Sequence, residues 1–68
     1  MIKEGQIYRH YKGGWYRIVC VATHAEKGGN LVVYMSADNF KVWAIDLGAF
    51  DSTVTIDGKE IKRFKLSE

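Results

Sequence analysis

Apolar positions along the chain fall into short runs that end at turns rich in glycine, aspartate or asparagine, and none recurs with helical spacing over a useful length. The pattern therefore predicts strands. Segment one is Gln6–Lys12, and the following Lys12-Gly13-Gly14 supplies the positive φ of a tight hairpin, pairing Tyr11 with Trp15 or with Tyr16. Segment two, "WYRIVCVATH" (15–24), is apolar on both parities around Ile18–Ala22, as expected of a strand buried on both faces or bent so that its halves face a core differently. "NLVVYMS" (30–36) follows the turn "EKGGN", and "FKVWAID" (40–46) follows "ADN"; β-branched and aromatic residues dominate both. "LGAF" (47–50) has room for one helical turn, with Leu47 and Phe50 pointing inward.

The last hairpin, "TVTIDGKEIKRFKL" (53–66), turns at Asp57-Gly58 and admits two registers. A two-residue loop pairs Ile56 with Lys59 and Val54 with Ile61, leaving Phe64 and Leu66 on the opposite parity. An odd-length loop, or a bulge near Lys62-Arg63, brings Val54, Phe64 and Leu66 to one face and is the preferred expectation. The whole reads as an all-β domain over residues 1–68: a small five-stranded, strongly twisted, partly open barrel of the Src-homology-3-like or oligonucleotide-binding type, with at most one helical turn near 47–50. A core of this size rarely supplies more than about 3–5 kcal/mol.

Composition narrows the function classes. No apolar run approaches a membrane span, and "MIKEGQIYRH" lacks the apolar stretch of a signal peptide, so the expectation is a cytoplasmic protein, monomeric or weakly dimeric, without membrane association. The single cysteine, Cys20, excludes an internal disulfide and is expected to be a small buried hydrophobe in "RIVCVAT". Net charge is only +2, yet residues 1–36 carry +3, residues 37–57 carry −3 and residues 58–68 carry +2. If the two ends meet, they form a modest positive face.

Catalytic patterns are weak: the serines sit near turns or the tail, and each aspartate lies where a turn favours it. His10, His24 and Glu26 are the one conceivable acid–base or metal set, but two histidines that are not directly opposed fall short of the ligands zinc takes. No cofactor is expected, and a hydrolase is a remote reading. "YRHYKGGWYR" (8–17) is more informative, because it interleaves aromatics with basic residues. Sheets that bind single strands stack bases on exposed aromatics and take phosphates with Arg and Lys, while small barrels also use aromatics as core and rim. Tyr8 and His10 share one parity, Arg9 and Tyr11 the other, so only part of the set can face solvent.

"YRHYKG" (8–13), the strand ending in "VATHAE" (21–26), "LVVY" (31–34), the tryptophan strand with Leu47 and Phe50, and the terminal Arg63-Phe64 together resemble the small bacterial family called domain of unknown function 1653, over nearly the whole chain. Motif positions carried over are Tyr8, Arg9, His10, Tyr11, Lys12, Gly13, Ala22, His24, Glu26, Val32, Tyr34, Trp43, Leu47, Phe50, Arg63 and Phe64. The resemblance implies a compact β module without an established activity. Where that family has an arginine-proline pair after its tryptophan strand, this chain has Ile45-Asp46, which replaces a local positive charge by a negative one.

The first functional expectation is a surface made by Tyr8, His10, Trp15, Tyr34 and Trp43, flanked by Arg9, Lys12 and Arg63, that engages single-stranded nucleic acid or another anionic polymer. The second is a protein-interaction module whose aromatics form a groove for an extended or proline-rich peptide. His24 and Glu26 complete the candidate set, either as part of a site or as a polar network that fixes the fold.

Overall fold

The computed structural model describes residues 1–67. Strands β1 (Ile7–His10), β2 (Trp15–Thr23), β3 (Asn30–Ser36) and β4 (Val42–Asp46) form an antiparallel meander, followed by one helical turn, α1 (Leu47–Phe50). The chain then makes the hairpin β5 (Thr53–Ile56) and β6 (Lys59–Lys62) before β7 (Phe64–Leu66) returns to pair with β1. The main sheet has the order β4-β3-β2-β1-β7, with β5-β6 as a separate ribbon. The fold is all-β and its sheet stays open, since β4 and β7 are its edges. Among the described residues the strands number seven, because the C-terminal hairpin divides into three.

Two details of register and one of burial differ from expectation. In the first hairpin Arg9, not Tyr11, lies opposite Trp15. The loop is longer because Tyr11–Gly13 are closed off by His10 N–H donating to the Gly14 carbonyl (3.1 Å) and Gly13 N–H to the His10 carbonyl (2.8 Å), with Gly13 and Gly14 both at positive φ. In the C-terminal hairpin the two-residue loop is the one formed: Ile56 pairs with Lys59 and Val54 with Ile61. Asp57 (φ 50°) and Gly58 (φ 78°) both take positive φ, the geometry whose twist matches flanking strands. The odd-length loop is therefore incorrect; pairing breaks at Arg63, and Phe64 crosses to the main sheet. Cys20 is half-buried instead of fully buried.

The two-parity apolar run in β2 is interrupted by a bulge. Ile18 pairs with Tyr34 and Cys20 with Val33, so the register shifts at Val19. A bulge of this kind inserts one residue and bends the strand. Before it, Tyr16 and Ile18 lie on the inner face; after it, Val21 lies on the face of the fully buried Val32. Val21 is nevertheless 41% exposed while Cys20 and Ala22 stay half-buried, so burial keeps to the even positions along the strand.

The core is Tyr8, Ile18, Val32, Phe50 and Phe64, with Ile2, Tyr16, Tyr34, Ile45 and Leu47 packed against it. Phe50 and Phe64 stack at 4.2 Å with rings 10° apart, and Tyr8 and Tyr34 meet them edge-on at 5.0 and 5.3 Å respectively. α1 delivers Phe50 to the core: a single turn that buries one phenyl ring contributes about 1.5–3 kcal/mol of transfer free energy.

Candidate functional site

Directly opposed residues of an antiparallel sheet share a face, so the pairing separates the motif. Leu66, Tyr8, Tyr16 and Ser36 form one row of the inner face, Phe64 and His10 another, and Ile18, Tyr34 and Trp43 a third. The outer face carries Lys65, Arg9 and Trp15 in one row and Ile7, Arg17, Met35 and Val42 in the next. The pairing of β1 with β7 brings the two basic ends of the chain together, with Arg9 opposite Lys65.

Two grooves meet at Trp15. The larger, about 620 Å³, is lined by Arg9, His10, Tyr11, Trp15, Ile61, Lys62, Lys65, Leu66 and Ser67. The smaller, about 240 Å³, is lined by Ile7, Trp15, Tyr16, Arg17, Met35, Ala37 and Phe40. No carboxylate lines either groove among the described residues. Trp15 is 41% exposed, and the Arg9 guanidinium lies 4.9 Å from its ring centre. That cation–π contact fixes both side chains in place on the surface. Lys62 is committed elsewhere, to the Asp51 carboxylate at 2.7 Å, and that bond holds the Asp51 carboxyl below its ordinary pKa.

The sequence candidates are not all gathered there. Arg9, His10 and Trp15 line the larger groove. Tyr8 is buried, its hydroxyl reaching Gln6 Oε1 at 3.3 Å, and burial raises its pKa. Tyr34 sits in the aromatic cluster with Tyr16, Phe50 and Phe64. Trp43 shares the inner side with Tyr34 on the β4 edge, opposite in face to Trp15, and the Lys41 ammonium covers its ring at 4.6 Å. Arg63 is tied to Ser52: its Nε donates to Ser52 Oγ and its backbone N–H to the Ser52 carbonyl, both at 3.0 Å. Lys12 is exposed in the first loop, with its ammonium 5.8 Å from the Tyr11 ring centre.

The histidines have turned out alike. His10 Nδ1 accepts the Lys12 N–H at 3.1 Å, and His24 Nδ1 accepts the N–H groups of Glu26 (3.2 Å) and Lys27 (3.1 Å). Each imidazole serves as an acceptor for the turn that follows it, much as Asn or Asp does in other turns. The set His10, His24 and Glu26 is therefore divided between two turns, and no group of three His, Cys, Asp or Glu residues able to hold a metal occurs among the described residues. His10 also packs edge-on against Phe64 at 4.9 Å, and burial, assisted by the charges of Lys12 and Arg63, lowers its pKa. Acceptance at Nδ1 requires that nitrogen to be unprotonated, so geometry and electrostatics agree on a neutral ring.

Sequence reasoning passed over Phe40 and Lys65, and kept Tyr11 as a motif position without placing it in the candidate site. Phe40 is 70% exposed and has φ of 60°, a left-handed conformation that costs an aromatic residue on the order of 1–2 kcal/mol. The signal available was "ADNFK", where a turn position that ordinarily takes glycine carries phenylalanine.

No helix of the described residues is long and apolar enough to cross a membrane. No curated protein and no solved structure matches the chain. Residues 6–66 match the model of the family described as a protein of unknown function, DUF1653. The match spans every strand of the sheet as well as both grooves' principal residues, and the chain belongs to that family.

Proposed function

We propose that this protein is a non-catalytic binding module that engages single-stranded nucleic acid or another anionic polymer through the outer face of its sheet. The observation that carries the reading is the row Lys65–Arg9–Trp15, in which a guanidinium is held against an exposed indole beside a groove free of carboxylates among the described residues. Paired cations attract phosphates, and an indole fixed at the surface offers a stacking plane. The strand order, with a bent β2 and one helical turn ahead of the strand that returns to β1, is in keeping with a Src-homology-3-like architecture. Both histidines spend Nδ1 on backbone N–H groups of their own turns.

A salt series tests it. Affinity for a single-stranded oligonucleotide should fall linearly on a log–log plot against salt, with a slope of about −0.7 per phosphate contacted. Arg9→Gln with Lys65→Gln should weaken binding and flatten that slope. Absence of binding to any polyanion at low salt, or salt-insensitive binding to an extended or proline-rich peptide, would remove the reading and favour the protein-interaction alternative.

A further inference from the structure

We propose that the smaller groove, between Trp15 and Phe40, is a subsite for one unpaired nucleobase; this deepens the reading above and rests on it. The two grooves differ in chemistry. The larger one is basic, whereas the smaller one is walled by Trp15, Ile7, Met35 and Phe40 and has Arg17 as its one charged side chain. Arg9 stacks on Trp15 and Trp15 borders both spaces, so the indole is a ridge between a charged side and an apolar side.

Phe40 is the second, independent sign. Its backbone N–H donates to the Ser36 carbonyl (3.0 Å), Lys41 N–H to Asn39 Oδ1 (3.0 Å), and Asp38 N–H to Ser36 Oγ (3.2 Å), so the β3–β4 turn is held by bonds that owe nothing to the phenyl ring. The ring is exposed, unused in the core and carried on a backbone conformation that glycine would adopt without strain. Strain retained at an exposed aromatic beside a groove points to a ligand contact. A space of about 240 Å³ has room for one ring system. Arg17 on one side and Arg9 with Lys65 on the other are placed to take the phosphates flanking such a base. Stacked duplex keeps its bases out of reach, so the occupant is single-stranded.

The test compares a short oligothymidylate with an abasic deoxyribose-phosphate chain of equal length, measuring dissociation constants by anisotropy for the wild type, Phe40→Gly and the Arg9→Gln/Lys65→Gln pair. Phe40→Gly should weaken oligothymidylate about tenfold, the order expected for one lost base–aromatic stack, and hardly affect the abasic chain. The Arg9/Lys65 pair should weaken both. Because glycine suits this turn, thermal stability of Phe40→Gly should equal or exceed that of the wild type, so lost binding is not lost folding. If the abasic chain binds as tightly as oligothymidylate, or Phe40→Gly affects the two equally, the base subsite is overturned while the polyanion reading stands. If neither chain binds, the polyanion reading fails and takes the subsite with it.

Discussion

The two faces of the sheet place the same residue types in opposite settings. On the inner face, Tyr8, Tyr16, Tyr34 and Phe64 turn their rings toward one another and toward Phe50, and His10 closes the cluster. Trp15 and Phe40 lie on the outer side, outside that cluster; the Arg9 guanidinium lies over Trp15, and Phe40 is the more exposed of the two. Aromatics alone are therefore a poor guide to a surface. Trp43 on the other side also carries a cation, Lys41, over its ring; what the outer face adds is a row of cations, with Arg9 beside Trp15, Lys65 beside Arg9 and Arg17 in the next row. Alternation along β1 sends Tyr8 and His10 inward and Arg9 outward, so one motif serves both faces.

If that division is right, substitutions on the two faces should separate stability from binding. Phe64→Ala should cost about 3–5 kcal/mol, comparable to everything a domain of this size possesses. Circular dichroism at ambient temperature should show it largely unfolded; a cooperative melt close to the wild type would break the inner-face assignment. Trp15→Ala should cost less, about 1–3 kcal/mol for a partly covered indole and one cation–π contact, and abolish most binding.

The histidine turns give effects of intermediate size. His10→Ala removes the acceptor for Lys12 N–H and an edge-on contact with Phe64, and should cost about 1–2 kcal/mol in denaturant melts. His24→Ala, confined to an exposed turn, should cost about 0.5–1 kcal/mol. The lowered pKa of His10 also fixes a direction with pH. The unfolded chain binds the proton more readily than the folded one, so this stability is complete above the ordinary histidine value of about 6.5 and is lost as pH falls from there through the folded pKa. His10→Ala should flatten that segment of the stability profile. A stability that rises on acidification through this window would contradict the neutral, accepting ring. The smallest effect on stability belongs to Arg9→Gln with Lys65→Gln, within about 0.5 kcal/mol, because exposed charges contribute little.

Much of the fold was legible because turns and periodicity speak locally. The strand segments, the helical turn at Leu47–Phe50 with Phe50 buried, and the bend in β2 all follow from glycine, aspartate and the parity of apolar residues. The C-terminal register was not. Wanting Val54 and Phe64 on one face assumed a single continuous hairpin, whereas the break at Arg63 lets the Asp57-Gly58 turn adopt its preferred geometry and still delivers Phe64 to β1. The candidate site was half legible. Arg9 and Trp15 could be named from "YRHYKGGWYR", but Tyr34 and Trp43 were grouped with them on residue type, and only the pairing puts Trp43 on the other face. Lys65 and Phe40 depend on long-range geometry: one on the return of β7 to β1, the other on a turn whose strain is invisible in composition.

The most direct test of the division between faces is an NMR titration of the wild-type protein with a short single-stranded oligonucleotide at low salt. The account predicts chemical-shift changes concentrated at Arg9, the Trp15 indole N–H, Arg17, Phe40 and Lys65, with Val32, Tyr34 and Phe64 unmoved. Changes centred on Trp43 and the β4 edge, or on the His24 turn, with the outer face silent, would contradict it.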